Sequence, residues 1–271
     1  MTSTSSCCAT WDQALQSLDV SPEKTAPHSR RHWTRLTITL LCLAILLYLG
    51  EVSLLRKARA EDQDRQALLK TFVAELVEIT PGEGKFPARF VMGTPNGPWT
   101  EQPAQAVTLK SPFAIGKYEV PQNLYEAVMG KNPSRWKGPR NSAEAFSFQE
   151  AEEFCRKLTT LLQDSQLIAK DDVIRLPTEA EWEYCCRAGS TTAYSFGELA
   201  LAREDQPPKA SLLDKYAWHT GNAAGNDPPV GAKEPNAWGL YDMHGYLWEF
   251  TSDRWRETYE SPDFAAAREE P

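Results

Sequence analysis

The 271-residue sequence is poor in histidine and lacks the short motifs that mark several large enzyme classes. His28 and His32 lie near the N-terminus, and His219 and His244 show neither HxxxH nor HExxH spacing between them, which argues against a histidine-based zinc site. There is no GxSxG motif, no glycine-rich phosphate loop and no dinucleotide fingerprint. We therefore expect neither a serine hydrolase nor a protein that binds nucleotides.

The sequence also lacks a long run of charge of one sign. It has 37 acidic and 29 basic residues, a net charge of -8, and no basic stripe that could neutralise a phosphate backbone. Nucleic acid is not expected as a partner. The 41% hydrophobic and 10% aromatic residues indicate a packed, globular core instead.

A single long apolar run, Leu36 to Gly50 and onward to Leu55, interrupts this polar background. Basic clusters flank it, Arg30, Arg31 and Arg35 before and Arg56, Lys57 and Arg59 after. The distance between them, about 20 residues, is enough to cross a bilayer, so we predict a single-pass signal-anchor helix over 36–55. The alternative is a signal peptide cleaved at Ala58-Arg59-Ala60.

This segment divides the chain into four predicted parts. Residues 1–35 read as a disordered cytoplasmic tail, and residues 56–76 as a linker helix, because apolar residues such as Leu68, Leu69 and Phe72 recur at helical spacing. Residues 77–271 form the main domain, which we expect to be exported to a periplasmic or extracellular space. The partners that follow are the membrane and a protein or peptide ligand.

The main domain carries local signals for short strands and helices. Ala88–Gly93 and Ala106–Glu119 alternate apolar and polar residues, as strands do, and a short helix is expected between Pro121 and Gly130. Two capping boxes, Ser147 with Glu150 and Thr178 with Glu181, predict the starts of two more helices. Leu247–Thr251 is predicted to be a strand with Trp248 and Phe250 on one face.

Several motifs of this domain occur together and in one order. They are Phe90-Val-Met-Gly93, Lys117-Tyr-Glu-Val120, Arg175-Leu-Pro-Thr-Glu-Ala-Glu-Trp-Glu-Tyr184, Pro229-Val-Gly231, Pro235-Asn-Ala-Trp-Gly-Leu-Tyr-Asp-Met-His-Gly245 and Trp248-Glu249. Together they resemble the formylglycine-generating, or sulfatase-modifying factor, family. The resemblance covers Val77 to Trp255 and implies a loop-rich α+β fold, similar to C-type-lectin-like domains, here preceded by one transmembrane helix.

The family resemblance implies a copper chemistry that this sequence does not match. Enzymes of the family hold copper(I) with two cysteines, which follow an Arg-Gly-Gly-Ser-Trp-like motif, and oxidise a protein cysteine to formylglycine with oxygen. Nothing after Trp255 resembles that segment. Cys185 and Cys186 are adjacent on a predicted helix and point about 100° apart, so they are a poor substitute. We expect no bound copper and no catalytic residues in this chain.

The remaining cysteines and acids have simpler interpretations. Cys7, Cys8 and Cys42 precede the domain, and the resemblance implies that the positions of Cys155 and Cys186 carry disulfide cysteines in many relatives, which leaves a bond between them open. Glu181 is explained by its capping box and Glu179 by the helix dipole, whereas Glu183 has no evident role.

Calcium is the one cofactor that the resemblance suggests for this chain. The expected ligands are oxygens of Asn222, Ala223, His244, Leu247 and Glu249, since calcium takes six to eight oxygen ligands. Tyr246 stands where the family has Asn, so loops held by hydrogen bonds alone are the alternative.

Three functional hypotheses follow. The preferred one is a membrane-anchored, non-catalytic binding or interaction module. The alternative is a formylglycine-generating oxidase whose catalytic segment is not in this sequence. The third is an unstable remnant of such a domain, with exposed apolar surface and unpaired strand edges.

Overall fold

The computed structural model describes residues 29–223, 225, 227–255 and 258–259, and the side chains from residue 46 onward. The chain divides into two compact units, residues 1–59 and residues 60–271. Most of the predicted tail, residues 1–28, lies outside the described residues.

A long helix, α1, runs over Ser29–Ala74 and covers both the predicted membrane segment and the predicted linker. Within the part of the chain whose side chains are described, no helix is both long enough and apolar enough to cross a membrane. The first half of the predicted span, residues 36–45, is outside that part.

The last turns of α1 belong to the core of the second unit. Leu69 is completely buried and packs in one cluster with Tyr125, Phe154 and Leu158. The sequence pattern predicts a linker here, but burial of Leu69 makes this segment part of the domain. The helix also ends at Ala74, before the predicted end at residue 76, because Leu76 and Val77 pair as a strand.

Among the described residues, four strands form two small antiparallel sheets. Strand β1 is Leu76–Ile79, β2 is Arg89–Met92, β3 is Gln105–Thr108 and β4 is Phe113–Gly116. Strand β1 pairs with β4, and β2 pairs with β3. The strands predicted over 88–93 and 106–119 are confirmed, the second as two strands separated by a turn.

In the described part of the chain three further α-helices follow, each bounded by residues that the sequence identifies. Helix α2 covers Gln122–Met129 and ends at Gly130, which adopts φ 72°. Helix α3 covers Phe148–Asp164, and α4 covers Glu179–Arg187. Both predicted capping boxes are present. The side chain of Ser147 or Thr178 accepts a hydrogen bond from the backbone N–H of the Glu three residues later, and the side chain of that Glu accepts one from the backbone N–H of the Ser or Thr.

Two acidic residues of α4, Glu181 and Glu183, make hydrogen bonds that stabilise the fold. Both oxygens of Glu181 accept from the Arg175 guanidinium at 2.7 Å, and the same carboxylate accepts from the Thr178 N–H. Glu183, unexplained by the sequence, accepts from the Gly93 N–H at 2.9 Å and from Arg187 at 2.7 Å. This carboxylate therefore joins α4 to the end of β2.

The prediction of a strand over Leu247–Thr251 is wrong. The segment has no strand partner among the described residues, and the Leu247 N–H donates to the Glu119 carboxylate instead of to a neighbouring backbone. Trp248 is fully exposed, whereas the Phe250 ring lies 5.7 Å from Phe148. Both large side chains are therefore exposed, and the Phe250 ring also packs against Phe148.

Candidate functional site

The second unit contains an open cavity of about 770 Å³. All four residues of β4 border it, and further lining comes from α2, the first half of α3, the start of α4 and residues 117–121, 143–146, 171–177 and 247–250. Its apolar lining includes the rings of Phe113, Tyr125, Phe146, Phe154 and Trp182. A concave, mostly apolar surface with a few polar groups is the usual form of a ligand site.

Glu119, just beyond β4, is the first polar group of this cavity. Its carboxylate accepts a hydrogen bond from the Leu247 N–H at 3.1 Å and another from the Ser142 hydroxyl. Burial, together with the negative charge of Glu249, raises the pKa of Glu119 to about 8, although its two hydrogen bonds act in the opposite direction.

Glu249 borders the same cavity. The residue is exposed to solvent at the opening, and desolvation by the surrounding protein raises its pKa to about 7. The Trp182 side chain lowers the pKa and the Asp242 charge raises it. We refer to Glu119 and Glu249, whose pKa values are both raised toward neutrality, as the carboxyl pair.

Asp242 lies beside the carboxyl pair in the core. Its backbone has φ 60°, its Oδ2 accepts from the Gly231 N–H at 3.1 Å, and its Oδ1 is buried without a hydrogen-bond partner in the described residues. Burial raises the pKa of Asp242. Gly231 is required here, because a Cβ on it would come within 2.3 Å of the Tyr118 ring.

The thiols of α4 occupy a different, closed environment. Cys185 and Cys186 are both buried, and neither forms a disulfide. The Cys186 thiol donates a hydrogen bond to the Met243 carbonyl at 3.3 Å. Burial raises the pKa of Cys186 to about 12 and also raises that of Cys185. Copper(I) requires thiolates that reach one metal, so these residues do not fit such a site.

Cys155 is also a free thiol, and it belongs to a different hydrophobic cluster from Cys186. Burial raises the pKa of Cys155 to about 11. The disulfide between Cys155 and Cys186 that the sequence leaves open is not formed.

His244, one of the predicted calcium ligands, packs against Cys186. Its Nε2 accepts from the Ser195 N–H at 3.0 Å, which requires a lone pair on that nitrogen and leaves the proton on Nδ1, 3.6 Å from the Cys186 sulfur. Burial lowers the pKa of His244 to about 4, so the imidazole is neutral. With Cys185 and Cys186 it forms what we call the thiol cluster.

Asn222 and Ala223 lie in a loop around Asp214. The Asn222 side chain accepts from the His219 N–H at 2.8 Å and donates to Asp214 and to the Ala217 carbonyl, both at 3.0 Å. The Ala223 N–H donates to the His219 carbonyl at 2.8 Å. Hydrogen bonds therefore account for the conformation of this loop.

The five predicted calcium ligands thus lie in three environments. Leu247 and Glu249 meet at the cavity, His244 is in the thiol cluster, and Asn222 and Ala223 are in the Asp214 loop. Among the described residues, no group of three or more His, Cys, Asp or Glu side chains is arranged to hold a metal. Calcium binding stays a prediction.

Sequence reasoning missed Glu119 as a site residue. It falls within a motif that identifies a strand, and its partner Leu247 is 128 positions away. A charged residue at the end of an apolar strand was the signal that could have identified it.

The chain matches the model of the sulfatase-modifying factor enzyme 1-like domain over residues 66–269. The chain belongs to this family. The sulfatase-modifying factor domain therefore begins within α1, before the boundary at residue 77 predicted from the sequence. Its mixed helix and strand content agrees with the predicted α+β class, and the relation to C-type-lectin-like domains stays a prediction.

Known relatives cover this domain unequally. The chaperone protein LppX of Paenibacillus barcinonensis is 30% identical over 200 residues, which is 58% of this chain and 67% of LppX. The formylglycine-generating enzyme of Mycobacterium tuberculosis is 38% identical over 86 residues, 29% of this chain and 26% of that enzyme. The chain thus spans about a quarter of the length of that enzyme.

A solved structure supports the same fold. PvdO from Pseudomonas aeruginosa superposes with a TM-score of 0.52 and 27% identity, over 68% of this chain and 72% of PvdO.

Proposed function

We propose that this chain is a membrane-anchored, non-catalytic sulfatase-modifying factor protein whose cavity binds a protein or peptide ligand. The observation that carries the proposal is the open cavity of about 770 Å³, with aromatic walls and a carboxyl pair. A site of this kind has the apolar area for affinity and the few polar groups for orientation.

The state of the thiols supports a role without oxidation chemistry. Cys155, Cys185 and Cys186 are buried, and their raised pKa values keep them protonated at neutral pH. Cys155 is part of the cavity lining but is a protonated thiol, and neither Cys185 nor Cys186 belongs to the described lining. The relative LppX is named a chaperone protein, which gives weaker support for a binding role.

The second candidate is a formylglycine-generating oxidase, favoured by the 38% identity to the Mycobacterium tuberculosis enzyme over 86 residues. Copper would supply the oxygen chemistry in such an enzyme. The described thiols do not fit copper, so this candidate requires thiols from elsewhere.

A direct assay separates the two candidates. The purified full-length chain is incubated with copper(I), oxygen and a synthetic sulfatase peptide containing one cysteine, and the peptide is analysed by mass spectrometry. We expect the peptide to keep its thiol, while the Mycobacterium tuberculosis enzyme, as a positive control, converts it to the aldehyde. Aldehyde formation by this chain would overturn the proposal.

The anchoring part of the proposal rests on the apolar segment from Leu36 to Leu55 and its basic flanks. Extraction of membranes with alkaline carbonate should leave the full-length chain in the pellet. Release into the supernatant would refute an integral anchor and leave the binding role intact.

A further inference from the structure

The outer edge of β4 has free backbone groups. The Lys117 N–H donates to the Glu75 carbonyl at 2.8 Å, which fixes the bonded positions of the β1–β4 pair. Since bonded and non-bonded pairs alternate along an antiparallel ladder, Ala114 and Gly116 are at non-bonded positions, and their N–H and C=O groups point away from β1. Within the described residues, these groups make no backbone hydrogen bond.

This free edge borders the cavity. All four β4 residues line it, whereas Leu76 is the one β1 residue that does so among those described. An extended chain lying in the cavity could therefore pair with β4 and set alternate side chains against the aromatic walls. Strand addition of this kind derives affinity from main-chain hydrogen bonds and specificity from the side-chain pockets.

The charges around the cavity indicate which kind of ligand it favours. Glu119 and Glu249 line it, and Glu144, Asp171 and Asp172 add further acids to the lining. Lys117 and Arg175 are the cations of the lining, and Arg175 is already paired with Glu181. The negative excess favours a cationic side chain on the occupant.

A second copy of this chain is a poor occupant, because each copy carries a net charge of -8 and the docking faces would repel. The rim of the cavity is also apolar, since Trp248, Phe250 and Val173 are exposed there. Exposed apolar rings around an acidic, apolar cavity match a segment that mixes apolar and basic residues.

We propose that the cavity binds an extended segment of a partner polypeptide, which pairs with the free edge of β4 and places an arginine or lysine against Glu119 and Glu249. This inference rests on the proposed binding function and specifies its ligand. The partner segment alternates apolar side chains with polar ones and carries at least one basic residue facing the carboxyl pair.

The test uses the full-length chain and a fluorescently labelled synthetic peptide of about ten residues, a typical strand length, in which valine and serine alternate around a central arginine. Binding is followed by fluorescence anisotropy. Two control peptides differ in one respect each: one has glutamate in place of the arginine, and the other has N-methyl groups on alternate amides, which prevents strand pairing. We expect both to bind at least about tenfold more weakly, roughly the worth of one charge-assisted interaction or of the lost ladder bonds.

Matched protein variants locate the contact. Ala114→Pro removes an outward N–H of β4, and Glu78→Pro makes the same change at the register partner on β1, whose outward edge is not on the cavity wall. We expect Ala114→Pro to weaken peptide binding at least about fivefold and Glu78→Pro to leave it within about twofold. Glu249→Gln, which keeps the shape of the side chain, should weaken binding of the arginine peptide and not of the glutamate peptide.

Equal affinity for the N-methylated peptide, or equal effects of Ala114→Pro and Glu78→Pro, would overturn strand pairing with β4. Sedimentation showing a dimer that the peptide does not dissociate would make a second copy the occupant and also overturn the inference. Neither result bears on the aldehyde assay, so this inference can fail while the non-catalytic function stands. Aldehyde formation in that assay would remove the function regardless of peptide binding.

Discussion

Burial has different consequences for the thiol cluster and for the carboxyl pair. In both regions burial raises the pKa of acidic groups, but the thiol of Cys186 reaches about 12 and the carboxyls of Glu119 and Glu249 reach about 8 and 7. A thiol starts from a higher pKa, so burial makes it inert at physiological pH, whereas a carboxyl becomes able to titrate there. The region that can exchange protons and ligands is the one that opens to solvent.

The largest expected difference between the two regions is in the stability lost when a packed side chain is removed. Tyr184, next to the thiol cluster, is 1% exposed, contacts the ring of Trp238 at 4.6 Å and donates to the Pro87 carbonyl at 2.7 Å. We expect Tyr184→Ala to lower the free energy of unfolding by about 3–5 kcal/mol, measured by urea denaturation. Trp248→Ala, at the cavity rim, should change it by less than about 0.5 kcal/mol. Similar losses for both variants would contradict the distinction between a closed and an open region.

The next largest effect is expected in the reactivity of the buried thiols. In a variant with Cys7, Cys8 and Cys42 replaced by serine, maleimide labelling at pH 8 measures only the three domain cysteines. Because labelling needs an accessible thiolate, we expect it to be at least about 100-fold slower in buffer than in urea. Rapid labelling of Cys186 in the folded chain would show that the thiol cluster is open.

The carboxyl pair should make stability depend on pH in an unusual direction. The folded-state pKa of Glu119, about 8, lies above its ordinary value of 4.5, so the folded chain retains a proton that the unfolded chain releases. The stabilisation is complete below pH 4.5 and is lost as the pH rises toward 8. Glu119→Gln keeps a neutral side chain and avoids this loss.

We therefore expect Glu119→Gln to raise Tm relative to wild type by about 2–4 °C at pH 8, with the difference vanishing at pH 4.5. Differential scanning fluorimetry across this range measures it, and Glu126→Gln, at an exposed position of α2, is the matched control. A Tm difference that grows toward acid would show that Glu119 is charged in the folded chain.

The predicted calcium site should have the smallest effect. If Glu249 and the nearby loop oxygens bind calcium, millimolar calcium should raise Tm by about 1–2 °C, and Glu249→Gln should remove this shift. An unchanged Tm at saturating calcium would favour the loop held by the Asn222 hydrogen bonds alone.

Local features of the fold were predictable and long-range ones were not. The capping boxes of α3 and α4 and the Gly130 end of α2 depend on residues within one turn, so the sequence identifies them. Leu247–Thr251 has the alternation of a strand, but whether it pairs depends on what lies beside it, and there the Glu119 carboxylate takes the backbone amide. The family motifs predicted membership in advance of any coordinates.

The candidate site was predicted in part. Leu247 and Glu249 were expected to be ligand residues and do border the cavity, although calcium at that position is untested. Glu119 and Ser142 were missed, because their contacts join segments far apart in sequence. A cavity depends on the three-dimensional arrangement of elements, and no periodicity in one element reports it.

Trp248 gives the protein an optical reporter of its own cavity. Its indole is fully exposed at the rim, while that of Trp238 is 3% exposed in the core. Its emission should therefore lie on the long-wavelength side of the spectrum, together with that of the exposed Trp99, Trp136 and Trp255, and be readily quenched by acrylamide. An occupant that covered the rim would shift that emission to shorter wavelengths and protect it from quenching, so occupancy can be followed without any attached dye.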